Sequence, residues 1–305
     1  MAAWNELLNE TKEAGSTHDI IRRRYLKRLH NLTKRNVILY YSGWLQKPQL
    51  ASQPGVQLGI SDADKNGFMS VIHKLDRSKG LDLILHTPGG DMAATESLVD
   101  YLRAMFNNDI RAIIPQLAMS GGTLISLSCR EIVMGKESSI GPIDPQFGRM
   151  AATGLLQEFD RIRKEIKDDA SAALLWQPVL RQIEPGFITE CENAVEWART
   201  MAERFLVTNM LAKKPNKAAR AKAIVGKLTE KKTTKTHGRH IGLAEAISIL
   251  GDAVRPLEED QRLQDAVLTV HHACLITLEA TPCFKLIENH IGRAYAQIMR
   301  QQVLP

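Results

Sequence analysis

Short apolar runs, each closed by a turn signal, punctuate the first half of the chain. Asn36-Val-Ile-Leu-Tyr-Tyr41 is rich in β-branched and aromatic residues and ends at Ser42-Gly43, so it predicts a strand. Leu81-Asp-Leu-Ile-Leu-His86 predicts a second strand, halted by Thr87-Pro-Gly-Gly90. Ile110-Arg-Ala-Ile-Ile114 and Glu131-Ile-Val-Met134 predict two more. Between them the period lengthens. Phe68, Met69, Ile72 and Leu75 share one helical face, as do Leu98, Val99, Leu102, Met105 and Phe106, and a further helical stretch runs from Gly121-Gly122 to Ser128. Strand, glycine turn, helix and strand again is the rhythm of βαβ units on a mostly parallel sheet. Functional loops of such sheets gather at the carboxyl ends of the strands. The Gly89-Gly90 and Gly121-Gly122 turns both follow strands, so they are expected on one edge.

Beyond residue 150 the pattern turns mainly helical. Val195, Ala198, Met201, Phe205 and Leu206 line one face, and Leu263, Val267, Val270, Cys274 and Leu278 another. The expected organisation is a polar, basic helical arm over 1–35, an α/β catalytic domain over 36–257, and a helical extension over 258–305.

Composition narrows the class. The chain has 305 residues, 44% of them apolar, enough for a sizeable core. No apolar run reaches the roughly 18–20 residues of a membrane span, and the N-terminus lacks a signal-peptide layout. A cytoplasmic protein without membrane contact is expected. The four cysteines form no C-x-x-C pair, so neither a metal site nor a disulfide framework is implied. Net charge is +6, concentrated at Arg22-Arg23-Arg24 and over 213–239, where ten Lys/Arg face the single acid Glu230. Without interleaved aromatics or a reader motif, that charge reads as a solvated surface and not as a nucleic-acid site.

The chemistry lies at the glycine turns. Ser120 occupies a strand-to-helix turn inside Met-Ser-Gly-Gly, although the G-x-S-x-G pattern is absent. Gly121 lets a backbone N–H approach a substrate oxygen, and the helix N-terminus adds partial positive charge there. Gly89 and Gly90 offer a further donor from the neighbouring loop. Two such N–H groups are the minimum for an oxyanion hole. Taken in isolation, Ser-Gly-Gly is more often a helix cap beside packing glycines.

Pro88-Gly-Gly-Asp91 followed by Ser120-Gly-Gly and Ser138-Ser-Ile-Gly141 resembles the peptidases of the Clp proteolytic subunit and signal peptide peptidase A over about residues 36–146. More closely, Arg24-Tyr-Leu-Lys-Arg-Leu29, Tyr40-Tyr-Ser-Gly-Trp-Leu45, Leu83-Ile-Leu-His-Thr-Pro-Gly-Gly90 and Ile140-Gly-Pro-Ile-Asp-Pro-Gln146 are similar to the serine dehydrogenase proteinase family. The resemblance implies a Clp-protease/crotonase-like α/β fold of stacked βαβ units with additional C-terminal helices. It also implies Ser120 as nucleophile with Gly89, Gly90 and Gly121 shaping the oxyanion hole. The implied substrate is a peptide or unfolded protein, the assembly a homo-oligomer, and no cofactor is called for. No G-x-x-x-x-G-K-[ST] motif is present, so any unfolding ATPase would be a separate chain.

The base is open at this level. Where the Clp pattern has its histidine the chain reads Gly141-Pro-Ile-Asp-Pro145, and the Clp aspartate falls near Gly238, so a triad of that arrangement is not expected. Signal peptide peptidases use a lysine, and Lys167 or its neighbour Lys164 lies at a comparable distance after Ser120. His237 in Lys235-Thr-His-Gly-Arg-His240 is the rival. His86 reads as a loop-orienting residue, and His271 and His272 as packing residues. A crotonase-like acyl-CoA enzyme and an inactive scaffold of the same fold remain as alternatives.

Overall fold

The computed structural model describes residues 6–7, 9–10, 19–148, 150–229 and 236–299. Strands β1 (Asn36–Ser42), β2 (Leu81–His86), β3 (Ile110–Ile114), β4 (Leu117–Ala118), β5 (Glu131–Met134), β6 (Ser139–Ile140), β7 (Gln146–Phe147), β8 (Met150–Ala151), β9 (Ile241–Gly242), β10 (Val254–Pro256), β11 (Cys283–Asn289) and β12 (Ala294–Ile298) succeed one another along the chain. Helices are α1 (Asp19–Thr33), α2 (Asp62–Ile72), α3 (Met92–Phe106), α4 (Gly121–Ser128), α5 (Ala152–Asp168), α6 (Ala172–Leu180), α7 (Phe187–Thr208), α8 (Lys217–Thr229), α9 (Leu243–Leu250) and α10 (Gln261–Ala280).

The main sheet has seven strands in the order β10-β5-β3-β2-β1-β11-β12. The first five run parallel, while β11 joins β1 antiparallel and β12 closes the far edge. Each parallel strand feeds both faces, because successive side chains point opposite ways. Ile38 and Tyr40 pack with Phe68, Leu98 and Phe205 on one side. Val37, Leu39 and Tyr41 pack with Leu26, Val267 and Val270 of α1 and α10 on the other. This is the α/β fold expected, helices covering both faces of a mostly parallel sheet.

The C-terminal segment departs from expectation. Over 258–305 only α10 is α-helical among the described residues, and β11 and β12 then enter the main sheet. Lys285, Glu288 and Asn289 break the apolar run that would have marked β11, yet all three are buried and paired. Buried charge disguised a central strand. The same pairing changes the reading of the basic arm. Arg22 is only 1% exposed, with Nε 2.5 Å from Glu288 Oε2 and Nη1 donating to Thr277 at 2.8 Å, so α1 is docked by its charge. Of the expected arm, 1–5, 8 and 11–18 lie outside the described residues, as do 230–235 of the basic stretch. Among the described residues no helix is long and apolar enough to cross a membrane.

Candidate active site

A small second sheet gathers the candidate residues. Its order is β4-β6-β9, with β6 parallel to β4 and β9 antiparallel to β6. Ser120 follows β4 by two residues and Asp144 follows β6 by four. His237 precedes the antiparallel β9 by four, so all three leave the same edge. The Gly-Gly turn is drawn to that edge by a bridge between Thr87 and Ala118. Thr87 N–H donates to Leu117 O and Met119 N–H to Thr87 O, each at 3.0 Å. Thr123 Oγ1 adds a tie, donating to Ala118 O and accepting from Gly141 N–H, each at 2.9 Å.

Ser120 stands at φ 49° and ψ −110°, a left-handed conformation for a non-glycine residue. Such backbone costs about 1–3 kcal/mol and persists where the surroundings impose it, often at functional turns. Here Gly122 N–H donates to Met119 O at 2.8 Å and Leu124 N–H to Ser120 O at 3.0 Å, closing the turn on both sides. The Ser120 hydroxyl, half-buried, is not taken up by any hydrogen bond among the described residues.

Two N–H donors without a backbone partner lie beside it. Ile60 N–H donates to Gly89 O at 2.7 Å and Asp91 N–H to Ile60 O at 2.9 Å. In this parallel bridge the N–H of Gly90 itself must point away from Ile60. Gly121 is the first residue of α4, so its N–H has no partner within the helix. A Cβ on Gly121 would lie 3.4 Å from Gly90 N, so the two glycines are close neighbours. Gly89 differs: its N–H donates to Thr87 Oγ1 at 3.2 Å. Its φ of +96° and the 2.6 Å between a would-be Cβ and Ser120 Cβ make it the spacer that lets the loops close.

The cleft in front of these groups has a volume of about 790 Å³ and is walled by Met92, Leu124, Ile143, Phe147 and Trp197. Ser120, Asp144 and His237 all line it. His237 Nδ1 lies 2.9 Å from Asp144 Oδ1. A carboxylate only accepts, so Nδ1 carries the proton and Nε2 is left as the basic nitrogen. Asp144 is 5% exposed, and its other oxygen accepts from Gln146 Nε2 at 2.8 Å. A nucleophile, an oriented imidazole and two free N–H groups around one cleft are what acyl transfer requires.

Lys164 and Lys167 lie on exposed positions of α5 and do not line the cleft. His86, at the end of β2, is wholly buried among Tyr41, Trp44 and His271, with neither ring nitrogen hydrogen-bonded among the described residues. Desolvation lowers its pKa to about 3. His271 meets Tyr41 Oη at 3.0 Å, and burial followed by the neighbouring His86 and His272 pushes its pKa well down. Among the described residues no three His, Cys, Asp or Glu are grouped to hold a metal ion.

Asp144 and Gln146 were not singled out from the sequence. The signal was present in Gly141-Pro-Ile-Asp-Pro-Gln146, which carried the family resemblance and the absence of a histidine but gave its aspartate no role.

Comparison with known proteins identifies a family. The model of the ClpP-like SDH-type serine proteinase family matches residues 19–249. Two uncharacterized proteins of Methanocaldococcus jannaschii are also similar. One is 34% identical over 136 residues, 45% of each chain. The other is 36% identical over 110 residues, 36% of this chain and 37% of the relative. The matched stretch thus spans less than half the length of either curated relative.

Proposed function

Since this chain belongs to the ClpP-like SDH-type serine proteinases, we propose that it cleaves peptide bonds in peptides or unfolded proteins through an acyl-enzyme on Ser120. His237 acts as general base, Asp144 orients it, and the N–H groups of Gly90 and Gly121 hold the oxyanion. The observation that carries this reading is the 2.9 Å Asp144–His237 hydrogen bond at the rim of the cleft that Ser120 lines.

The chemistry follows from those positions. Ser120 Oγ attacks the carbonyl carbon while its proton passes to His237 Nε2. The carbonyl oxygen takes up the negative charge beside the two N–H donors and the α4 N-terminus. When the tetrahedral adduct collapses, the C–N bond breaks and His237 returns the proton to the departing amine. A water then gives a proton to His237, attacks the ester and releases Ser120 with its proton restored. Asp144 remains a carboxylate throughout and stabilises the imidazolium. Lys167 has no part in these steps, nor has Lys164, because each side chain stands in solvent away from the cleft.

The exposed apolar side chains of α6, Leu174 at 76% and Leu175 at 80%, support the reading that the protein works as a homo-oligomer. A crotonase-like acyl-CoA enzyme would use the oxyanion donors but not the serine. The purified protein should therefore hydrolyse an unfolded protein or fluorogenic peptide, and Ser120→Ala should abolish that hydrolysis while remaining folded. Near-full activity in the variant would remove Ser120 as nucleophile.

A further inference from the structure

The direction of the Gly90 N–H is set by a segment that lies outside the cleft. Ile60 makes both hydrogen bonds of the bridge across Gly90, through Gly89 O and Asp91 N–H. Residues 53–61 contain no helix or strand of their own, so something else must hold Ile60 in place. The hold comes from a buried ion pair. Lys285 Nζ, on β11, donates to Gly59 O at 2.7 Å and to the Asp64 carboxylate at 3.0 and 3.1 Å. Asp64 in turn accepts from Tyr40 Oη and from Ser61 N–H, each at 2.9 Å. Lys285 and Asp64 are both 0% exposed.

A buried ion pair is a poor way to gain stability. Desolvating both charges offsets their attraction, and an apolar pair of similar volume often does as well or better. A pair that directs hydrogen bonds onto one backbone carbonyl and one amide does what an apolar pair cannot, which is to fix direction. Gly59 and Ser61, the residues so held, flank Ile60 on either side. We propose that Asp64 and Lys285 are positioning residues for the oxyanion hole. They clamp Gly59 and Ser61, which holds Ile60 in register with Gly89–Asp91 and turns the Gly90 N–H away from Ile60, toward the cleft that Gly90 and Gly121 both line. The inference rests on the active-site reading above, since it assigns a purpose to the donor that reading names.

Two variants test it without leaving a lone buried charge. In Gly59→Ala the added Cβ would lie 2.9 Å from Gly89 O and 3.1 Å from Gly90 Cα, a wedge between the clamp and the loop. The double variant Asp64→Asn/Lys285→Met removes both charges at once. Each is measured for kcat and KM on a peptide substrate and for inhibition by a peptide boronate, whose adduct mimics the tetrahedral intermediate, with cooperative thermal unfolding as the check on folding. The inference expects kcat to fall about tenfold or more with KM within about twofold, and boronate affinity to weaken in parallel, since a lost oxyanion donor acts in the transition state. Wild-type kcat in folded Gly59→Ala, or a change confined to KM, overturns the inference. If the double variant fails to fold, Gly59→Ala carries the test. Ser120→Ala assayed alongside separates the two levels. Activity retained there overturns the active-site reading together with the inference, whereas activity lost there but kept at wild-type kcat in Gly59→Ala overturns the inference alone.

Discussion

The Thr87–Gly90 turn has an imidazole on either side of it, one in the cleft and one in the core. On the cleft side His237 keeps 28% of its side chain in solvent and gives Nδ1 to Asp144. On the core side His86 is packed 4.4 Å, centroid to centroid, from Trp44 and 5.3 Å from Tyr41, with no hydrogen bond among the described residues and a pKa lowered by burial to about 3. An imidazole of the second kind stays neutral through the working range and serves as a flat, apolar filler behind the turn. One of the first kind has a carboxylate to stabilise its charged form and an open face from which to take a proton. In the proposed mechanism, partner and access select the base, not proximity to the glycine turn.

The comparison is broken most forcefully by removing the cleft-side groups. His237→Ala should lower kcat/KM by about 10³-fold or more, close to the loss in Ser120→Ala, because nucleophile and base act as one unit. Asp144→Asn should cost about 10²-fold or more, since an amide at that position no longer holds the imidazole in the required tautomer. Thermal unfolding of both variants should stay near wild type. A large loss of stability in either would assign the pair a structural role.

On the core side the effect should appear in stability and not in turnover. The pKa of His86 in the folded protein lies below its unfolded value of about 6.5, so the unfolded chain takes the proton first. Its contribution to stability is fully present above about pH 6.5 and is lost as pH falls toward 3, at up to about 1.4 kcal/mol per pH unit for the one proton. His86→Phe should flatten the fall of the urea midpoint between about pH 6.5 and 4.5 while leaving hydrolysis within about threefold. Part of the slope should remain, because His290, with a pKa lowered to about 4 by burial and its neighbour His30, acts in the same sense. An unchanged slope in His86→Phe would contradict the assignment. The smallest effect belongs to Lys167→Ala, which should alter hydrolysis by less than about twofold, as an exposed α5 side chain away from the cleft.

Most of the framework was legible because it obeys simple periods. The strands at 36–42, 81–86, 110–114 and 131–134 are short apolar runs ended by glycine or proline turns, and the structure keeps them within a residue of that reading. The strand at 283–289 was not, because three of its seven residues are charged or polar, and the groups from α1 and α2 that pair them lie more than 200 positions away in the chain. The glycine turns and Ser120 announced themselves by composition. Asp144 did not, for its meaning depends on His237 ninety-three residues later. The two-residue strands β4, β6 and β9 that unite them are too short to leave any periodicity. Local chemistry can be read from a sequence, whereas a pair made by tertiary structure needs the fold.

The central claim is that Ser120 is activated from the cleft rim by His237. Labelling with a fluorophosphonate, followed by intact mass and peptide mapping, tests it directly because the rate of covalent capture reports how nucleophilic the serine is. The account predicts a single adduct on Ser120 in the wild type, capture slowed by orders of magnitude in His237→Ala, and a wild-type rate in Lys167→Ala. Capture of Ser120 at the wild-type rate in His237→Ala, with its loss in Lys167→Ala, would contradict it.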